Sequence, residues 1–117
     1  MARIIRTVLG DILPEEFGIC YPHEHLLGRP PQAYSKPDLV LDNEAAAAVE
    51  LAWFRAAGGS ALVEMSTPDY GRNPEGLQRL SQVSGVHIVA ATGLNKEKFG
   101  SHPIAEDRRR FGCRLYP

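Results

Sequence analysis

Two histidines separated by one residue, His23 and His25, are the side chains of this 117-residue sequence best suited to bind a metal ion. Residues 17–25 read as an extended strand that ends in this pair. On a strand, residues i and i+2 point to the same face, about 6.5–7 Å apart along the backbone. Two imidazoles at that spacing can ligate one ion, whereas Glu24 is expected to point to the opposite face, toward a helical layer.

The pair also has a simpler interpretation. Two histidines near a loop are often only exposed or hydrogen-bonded, so the spacing alone does not identify a metal site. The neighbouring strands and helices therefore have to show whether the pair lies where a site is expected.

Segments typical of strands and helices alternate along the chain. Apolar and β-branched runs predict strands at residues 3–9, 17–25, 61–66 and 86–91, periodic segments predict helices at 42–57 and 73–85, and a turn is expected at 14–16. Strands joined by helices through short links are typical of right-handed βαβ units on a parallel sheet. An α/β fold is expected, with the histidines at the carboxyl end of a strand, where TIM barrels place their active sites. This position favours metal binding.

Each helix is expected to begin at a capping side chain and to bury an apolar face. Asp42 and Asn73 are the expected N-caps, with Pro74 in the favoured first position of the second helix. Further apolar side chains, Trp53 among them, predict that the first helix is covered on more than one side. The residues expected on the buried faces are Ala45, Ala48, Val49, Ala52 and Ala56 in the first helix, and Leu77, Leu80 and Val83 in the second.

Other polar residues lie near the same edge of the expected sheet. Glu64 is inside a buried strand, where a carboxylate needs a partner. It either supports the metal ligands from outside the coordination shell or bonds to a neighbouring strand. Asp69 and Arg72 follow that strand; they either shape the rim of the pocket or, as we expect, pair with each other to fix the loop. Backbone near Gly93 is free to approach a substrate.

The remaining histidines are not expected to act in the site. His87 opens a strand at its N-terminal edge, opposite the expected active face, so a structural role is predicted. His102 lies in a tail with no assigned element and receives no role.

Composition describes an ordinary globular chain, with 44% hydrophobic and 23% charged residues and a net charge of -1. Neither nucleic acid nor a membrane is expected as a partner. Cys20 and Cys113 are far apart and are expected to be free thiols in a reducing compartment. The N-terminus has no pattern of a signal peptide, which predicts a cytoplasmic protein.

The sequence TVLGDILPEEFGICYPHEHLL, at residues 7–27, resembles the N-terminal signature of the phosphotriesterase family of metal-dependent hydrolases. The resemblance continues through residues 63–99, which are similar to the family's second strand, its TPxxGR loop, its second helix and its third strand. Asp11 departs from the family's usual proline, in a turn. Several motifs in the right order are far more specific than the histidine pair alone.

The resemblance implies a partial TIM (β/α)8 barrel, in which residues 1–99 are the N-terminal third with strands 1–3 and their helices. It implies a divalent-metal site, usually binuclear zinc, in which His23 and His25 hold one Zn²⁺ and a carboxylate bridges both ions. A metal-bridging hydroxide would attack a small-molecule ester, lactone or phosphotriester. The bridging carboxylate and the other ligands are expected beyond this chain, since a complete barrel needs about 250 residues. A homo-oligomer is compatible with this interpretation.

Two alternatives to this interpretation remain at this point. The first is that the chain is a truncated, non-catalytic remnant of such an enzyme. The second is that it is part of a TIM-barrel nuclease with a similar histidine pair. Residues 100–117 lose the resemblance and contain an arginine triplet, which favours a frameshifted or truncated reading frame over a divergent third helix. In either case, His102 and Cys113 are expected to be functionally silent.

Overall fold

The computed structural model describes residues 3–95, which form three short helices and five short strands. In chain order they are β1 Ile5–Thr7, β2 Gly10–Ile12, α1 Pro14–Phe17, β3 Cys20–Glu24, α2 Glu44–Ala56, β4 Ala61–Glu64, α3 Pro74–Ser84 and β5 His87–Ala90. Single 3-10 turns occur at Gln32–Tyr34, Pro37–Leu39 and Pro68–Tyr70. No helix in this part of the chain is long and apolar enough to cross a membrane.

Strands β3, β4 and β5 form a parallel sheet in that order. Helix α2 connects β3 to β4, and α3 connects β4 to β5, so the sheet consists of two βαβ units. The predicted α/β class with a parallel sheet is confirmed. Strand β3 contains one extra residue: Tyr21 pairs with Leu62 and Glu24 with Glu64, so three steps along β3 match two along β4.

The N-terminal segment is a hairpin rather than the single strand predicted at residues 3–9. Strands β1 and β2 pair antiparallel around Val8 and Leu9. The Thr7 hydroxyl donates to the Gly10 carbonyl at 2.7 Å. Gly10 has a φ of 130°, a backbone conformation that residues with a side chain rarely adopt. The Val8 N–H donates to the Ile88 carbonyl at 2.8 Å, so the hairpin lies against β5.

The expected turn at residues 14–16 is a single helical turn, α1. Pro14 occupies its first position, where the missing N–H costs nothing. The Glu16 carboxylate accepts a hydrogen bond from the Leu13 N–H at 2.8 Å and holds the start of the turn.

Helix α2 begins one residue later than predicted, because Asn43 and not Asp42 caps it. The Asn43 side-chain oxygen accepts from the Ala46 N–H at 3.0 Å. Asp42 instead accepts from the Arg29 guanidinium at 2.7 Å. An oppositely charged neighbour therefore binds the carboxylate that the sequence pattern assigned to the cap.

The predicted buried face of α2 is also wrong. Ala47 and Leu51 are the buried residues of this helix, while most of the predicted set is exposed. Trp53 is 69% exposed, so the described part of the chain does not cover the helix on a second side. Because six of its 13 residues are alanine, the faces of the helix differ little in hydrophobicity. The large side chain of Leu51 packs with Leu62 and Ile88 and determines which face is buried.

Helix α3 follows its prediction at both ends. The Asn73 side chain caps it, Pro74 opens it, and Gly85 ends it in the left-handed conformation with a φ of 69°. Leu77 and Leu80 are buried as predicted, but Val83 is 73% exposed. Arg79 on α3 binds Glu44 on α2 at 2.7 Å, and this hydrogen-bonded pair lowers the pKa of the Glu44 carboxyl.

Helices α2 and α3 cover only one face of the sheet. Leu62 and Ile88, at paired positions of β4 and β5, belong to the core that these helices bury. Because side chains alternate along a strand, Val63 and Val89 point to the other face, where both are only half-buried. Among the described residues, that second face has no covering layer.

Candidate metal centre

The structure brings His23 and His25 together at the carboxyl end of β3. Their ring centroids are 5.4 Å apart, and the rings are nearly perpendicular, at 67°. His23 is exposed, and the side chain of His25 retains 34% exposure. Both imidazoles are therefore accessible to an ion, at the edge of the sheet where β4 and β5 also end.

His25 is held on two sides by residues from the segment that follows β4. The Ser66 hydroxyl lies 3.0 Å from His25 Nδ1. The Tyr70 ring lies against the imidazole, with centroids 5.1 Å apart at a tilt of 35°. In contrast, His23 makes its ring contact with His25 and forms no hydrogen bond within the described residues.

Glu64 is fully buried, and its carboxylate accepts three hydrogen bonds. Its Oε1 accepts from the Ser66 hydroxyl at 2.6 Å and from the Leu26 N–H at 3.3 Å, and its Oε2 accepts from the Ser66 N–H at 3.2 Å. His25 Nδ1 is 4.0 Å from Glu64 Oε1, too far for a direct hydrogen bond. The buried carboxylate therefore reaches the histidine through Ser66.

Because Gly28 has no side chain, Tyr70 and Ser66 can both pack against it. A Cβ at this position would lie 2.7 Å from Tyr70 Cδ1 and 2.9 Å from the Ser66 hydroxyl. Both distances are shorter than real carbon contacts, so any side chain at residue 28 would displace the groups that hold His25.

The expected pair between Asp69 and Arg72 does not form. The Arg72 guanidinium donates to the Ala91 carbonyl at 2.7 Å and ties the loop to the end of β5. Asp69 Oδ1 accepts from the Asn95 N–H at 3.4 Å, while Oδ2 is buried without a hydrogen-bond partner among the described residues. The loop is fixed by contacts with the segment that follows β5.

The other candidates lie away from the histidine pair. His87 is the first residue of β5 and is paired across the sheet with Ala61, which is in turn paired with Cys20. These three residues lie at the amino ends of the strands, whereas His23 and His25 lie at the carboxyl ends. Burial raises the pKa of the half-buried Cys20 thiol. Gly93 follows β5 with a φ of 101°. His102, Cys113 and the rest of residues 100–117 lie outside the described residues.

The donor set fits part of a metal site. Imidazole nitrogens are common ligands of zinc, and two are adjacent here. Within residues 3–95, no group of three or more His, Cys, Asp or Glu side chains is arranged to hold an ion. His23 and His25 alone are fewer than the three or four protein ligands of a typical zinc site.

Sequence reasoning identified the histidines and Glu64 but not the residues that join them. Ser66 is two residues beyond Glu64, and this spacing is the one signal that pointed to it. Tyr70 and Gly28 carry no such signal, because their contacts with His25 and Ser66 join separate segments of the chain.

Known proteins with similar sequences were found for most of the chain. The pattern of the Phosphotriesterase family matches residues 3–110. That match extends past residue 99, where the resemblance was expected to stop.

Relatives with assigned names match the same region. A phospho-furanose lactonase of Mycoplasmopsis agalactiae is 31% identical over 83% of this chain and 28% of its own length. The N-acetyltaurine hydrolase of Homo sapiens is 32% identical over 77% of this chain and 34% of its own length. This chain thus spans about a third of the length of the curated relatives it matches.

A solved structure agrees with the sequence matches. The lactonase from Listeria monocytogenes superposes with a TM-score of 0.80 and 32% identity, over 93% of this chain and 34% of that protein. The matched range of the family pattern includes the histidine pair and the parallel sheet. The chain therefore belongs to the phosphotriesterase family of hydrolases.

Proposed function

We propose that this chain contributes the first part of a metal-dependent hydrolase that cleaves ester-type bonds. His23 and His25 hold a divalent ion, Zn²⁺ in the first instance. The remaining ligands, and a second ion, come from segments that the relatives possess beyond the third matched here. The observation that carries this proposal is the pair of accessible imidazoles, 5.4 Å apart, at the carboxyl end of a parallel strand.

The architecture supports a partial barrel. Parallel sheets are almost always covered on both faces, yet the face that carries Val63 and Val89 has no layer among the described residues. In a closed (β/α)8 barrel these side chains would fill the interior, and the helices would form the outer ring. The histidines would then lie at the end of the barrel where active sites are built.

When bound, the metal lowers the pKa of its water and polarises the electrophilic carbon or phosphorus. The chain's own residues position the ligands for this role. His23 is exposed and free to adjust, whereas His25 is fixed by Ser66 and Tyr70. Arg72, through Ala91, anchors the loop that carries Tyr70.

Lactones are the substrate class we place first, because three of the similar proteins are named lactonases. Carboxylic esters and phosphotriesters are alternatives within the same chemistry. The relatives named N-acetyltaurine hydrolase favour a second candidate, hydrolysis of an N-acetyl compound. The partner is in each case a small molecule; neither nucleic acid nor a membrane is proposed.

Metal binding by the chain tests the ligand assignment directly. Zn²⁺ binding to the purified 117-residue chain, measured by isothermal titration calorimetry, should be weak, because two imidazoles are fewer than the usual three or four protein ligands. His23→Asn or His25→Asn should remove it. His87→Asn, at the opposite sheet edge, is the matched control and should bind as the parent chain does. Tight binding that survives both changes would contradict the assignment.

Activity is tested in a chimera in which residues 3–95 replace the matching third of the Listeria monocytogenes lactonase. Hydrolysis of a lactone, a carboxylic ester, a phosphotriester and N-acetyltaurine would be compared, with a phosphodiester included for the nuclease alternative. We expect lactone hydrolysis that requires both histidines. A folded, metal-loaded chimera without activity would favour the non-catalytic remnant.

A further inference from the structure

Ser66 lies between a histidine and a carboxylate and contacts both. Its hydroxyl is 3.0 Å from His25 Nδ1 and 2.6 Å from Glu64 Oε1. Ser66 and Glu64 are fully buried, so water does not compete for the contact between them. The chain thus contains a linear array of three groups that ends at the accessible ring of His25.

The direction of each hydrogen bond follows from the donors available. A serine hydroxyl has one hydrogen, and an ionised carboxylate can only accept. The Glu64 carboxylate already accepts hydrogen bonds from the N–H groups of Leu26 and Ser66, so its surroundings favour a group that accepts rather than donates. The Ser66 hydrogen is therefore directed to Glu64, and the Ser66 oxygen can only accept from His25.

We propose that Ser66, oriented by Glu64, is a positioning residue that keeps the proton of neutral His25 on Nδ1. The lone pair of His25 then lies on Nε2, the nitrogen left free for a ligand. This inference rests on the proposed function for the identity of that ligand, a divalent metal ion. The arrangement itself is a property of the metal-free chain.

The two histidines consequently have different roles. His25 has its ring nitrogen, its ring face and its tautomer fixed by Ser66 and Tyr70. His23 has no hydrogen bond among the described residues and is exposed. His25 is the preorganised ligand, and His23 adjusts to the ion that His25 holds. Outer hydrogen bonds of this kind fix the ring orientation of a metal-binding histidine and raise its basicity.

The tautomer can be measured without metal. Magic-angle-spinning NMR of the ¹⁵N-histidine-labelled 117-residue chain reports which ring nitrogen carries the proton, whether the chain is monomeric or associated. The signal of His25 is identified by its disappearance in the His25→Asn variant. Spectra are recorded well above the pH of about 6.5 at which histidine ordinarily titrates, so that the imidazole is neutral. We expect protonated Nδ1 in the parent chain and a loss of this preference in Ser66→Ala.

A second variant and a control separate the hydrogen bond from packing. Ser66→Cys fills the site with a slightly larger side chain of the same shape but replaces the oxygen with a weak acceptor, so the preference at His25 should be lost as in Ser66→Ala. Ser81→Ala removes another buried serine, which donates to the Val86 carbonyl at 2.7 Å, and should leave His25 unchanged. Calorimetry with Zn²⁺ alone should show affinity reduced about 10–100-fold by Ser66→Ala. Ser66→Cys is compared by NMR only, because a thiolate is itself a zinc ligand.

The outcomes distinguish this inference from the proposed function. Protonated Nε2 in the parent chain, or protonated Nδ1 unchanged in both Ser66 variants, would overturn the positioning role. Protonated Nδ1 that depends on Ser66, in a chain that does not bind Zn²⁺, would support the hydrogen-bond array and refute the metal assignment.

Discussion

At the scale of single residues, the space beside Gly28 determines how closely His25 is enclosed. Tyr70 and Ser66 both approach the position that a Cβ of residue 28 would occupy, at 2.7 and 2.9 Å. Each of these residues also contacts His25. A change at Gly28 therefore reaches the imidazole of His25 through two neighbours, although Gly28 itself does no chemistry.

Gly28→Ala is expected to destabilise the fold by about 1–3 kcal/mol, the usual cost of forcing extra carbon into a packed site. Urea unfolding followed by circular dichroism measures this cost. Because much of the clash is with the Tyr70 ring, the cost should be smaller when Gly28→Ala is made in a Tyr70→Ala background. Equal costs in the two backgrounds would show that the tyrosine is not the obstacle.

The sequence predicted this site only in part, for a physical reason. His23 and His25 were recognisable because strand geometry relates residues two apart. Glu64 was recognisable because a charge within an apolar strand needs a partner. No local rule relates Gly28 to Tyr70, since their contact depends on how two loops pack after the sheet has formed.

At the scale of elements, the start of α2 shows how two candidate caps are told apart. Asn43 and Asp42 are adjacent, and both side chains can cap a helix. In the structure Asn43 accepts from the Ala46 N–H, while Asp42 binds Arg29 in an exposed ion pair. A cap replaces a backbone hydrogen bond that the helix lacks, whereas an exposed ion pair contributes little to stability.

Asn43→Ala is therefore expected to lower the free energy of unfolding by about 0.5–2 kcal/mol. Asp42→Ala is the matched control at the adjacent position and should change it by no more than about 1 kcal/mol. Chemical denaturation of the two variants side by side measures the difference. A larger loss of unfolding free energy in Asp42→Ala than in Asn43→Ala would indicate that Asp42 is the cap, as the sequence pattern suggested.

From β3 onward, element types and order were predictable, but ends and faces were less so, and the N-terminal hairpin and α1 were missed. The parallel βαβ order followed from alternating strand and helix patterns, and the ends of α3 from Asn73, Pro74 and Gly85. The buried face of α2 did not follow, because an alanine-rich helix offers almost equal surfaces. Tertiary packing around Leu51 selected one of them.

At the scale of the whole molecule, one layer of helices stabilises one face of the sheet. The opposite face presents Val63 and Val89, and the outer helix surface presents Trp53. A large apolar side chain that stays in water forfeits about 1.5–3 kcal/mol of burial free energy. The molecule therefore has a strong tendency to cover its second sheet face.

We expect the purified chain to self-associate through that face, and sedimentation velocity should show species larger than a monomer. Val89→Lys should weaken the association, because a charge on the sheet face resists burial. Trp53→Glu, on the outer helix surface, is the control and should leave the association intact. A monomer with a cooperative unfolding transition would contradict this expectation.

The extra residue in β3 has a consequence for how the site tolerates changes in chain length. Tyr21 and Glu24 pair with Leu62 and Glu64, two positions on the same face of β4, and Tyr21 also packs against Phe54 of α2. Strict alternation from Tyr21 would place His23 on that helix-covered face as well. The insertion shifts the phase of the alternation by one, so the imidazoles project to the other side. Removal of Pro22 would make His23 the direct neighbour of Tyr21, so regular alternation alone would direct both rings to the same side as the bulge does. Substitutions at this position keep the bulge, whereas a one-residue deletion straightens the strand and leaves the histidines on their face.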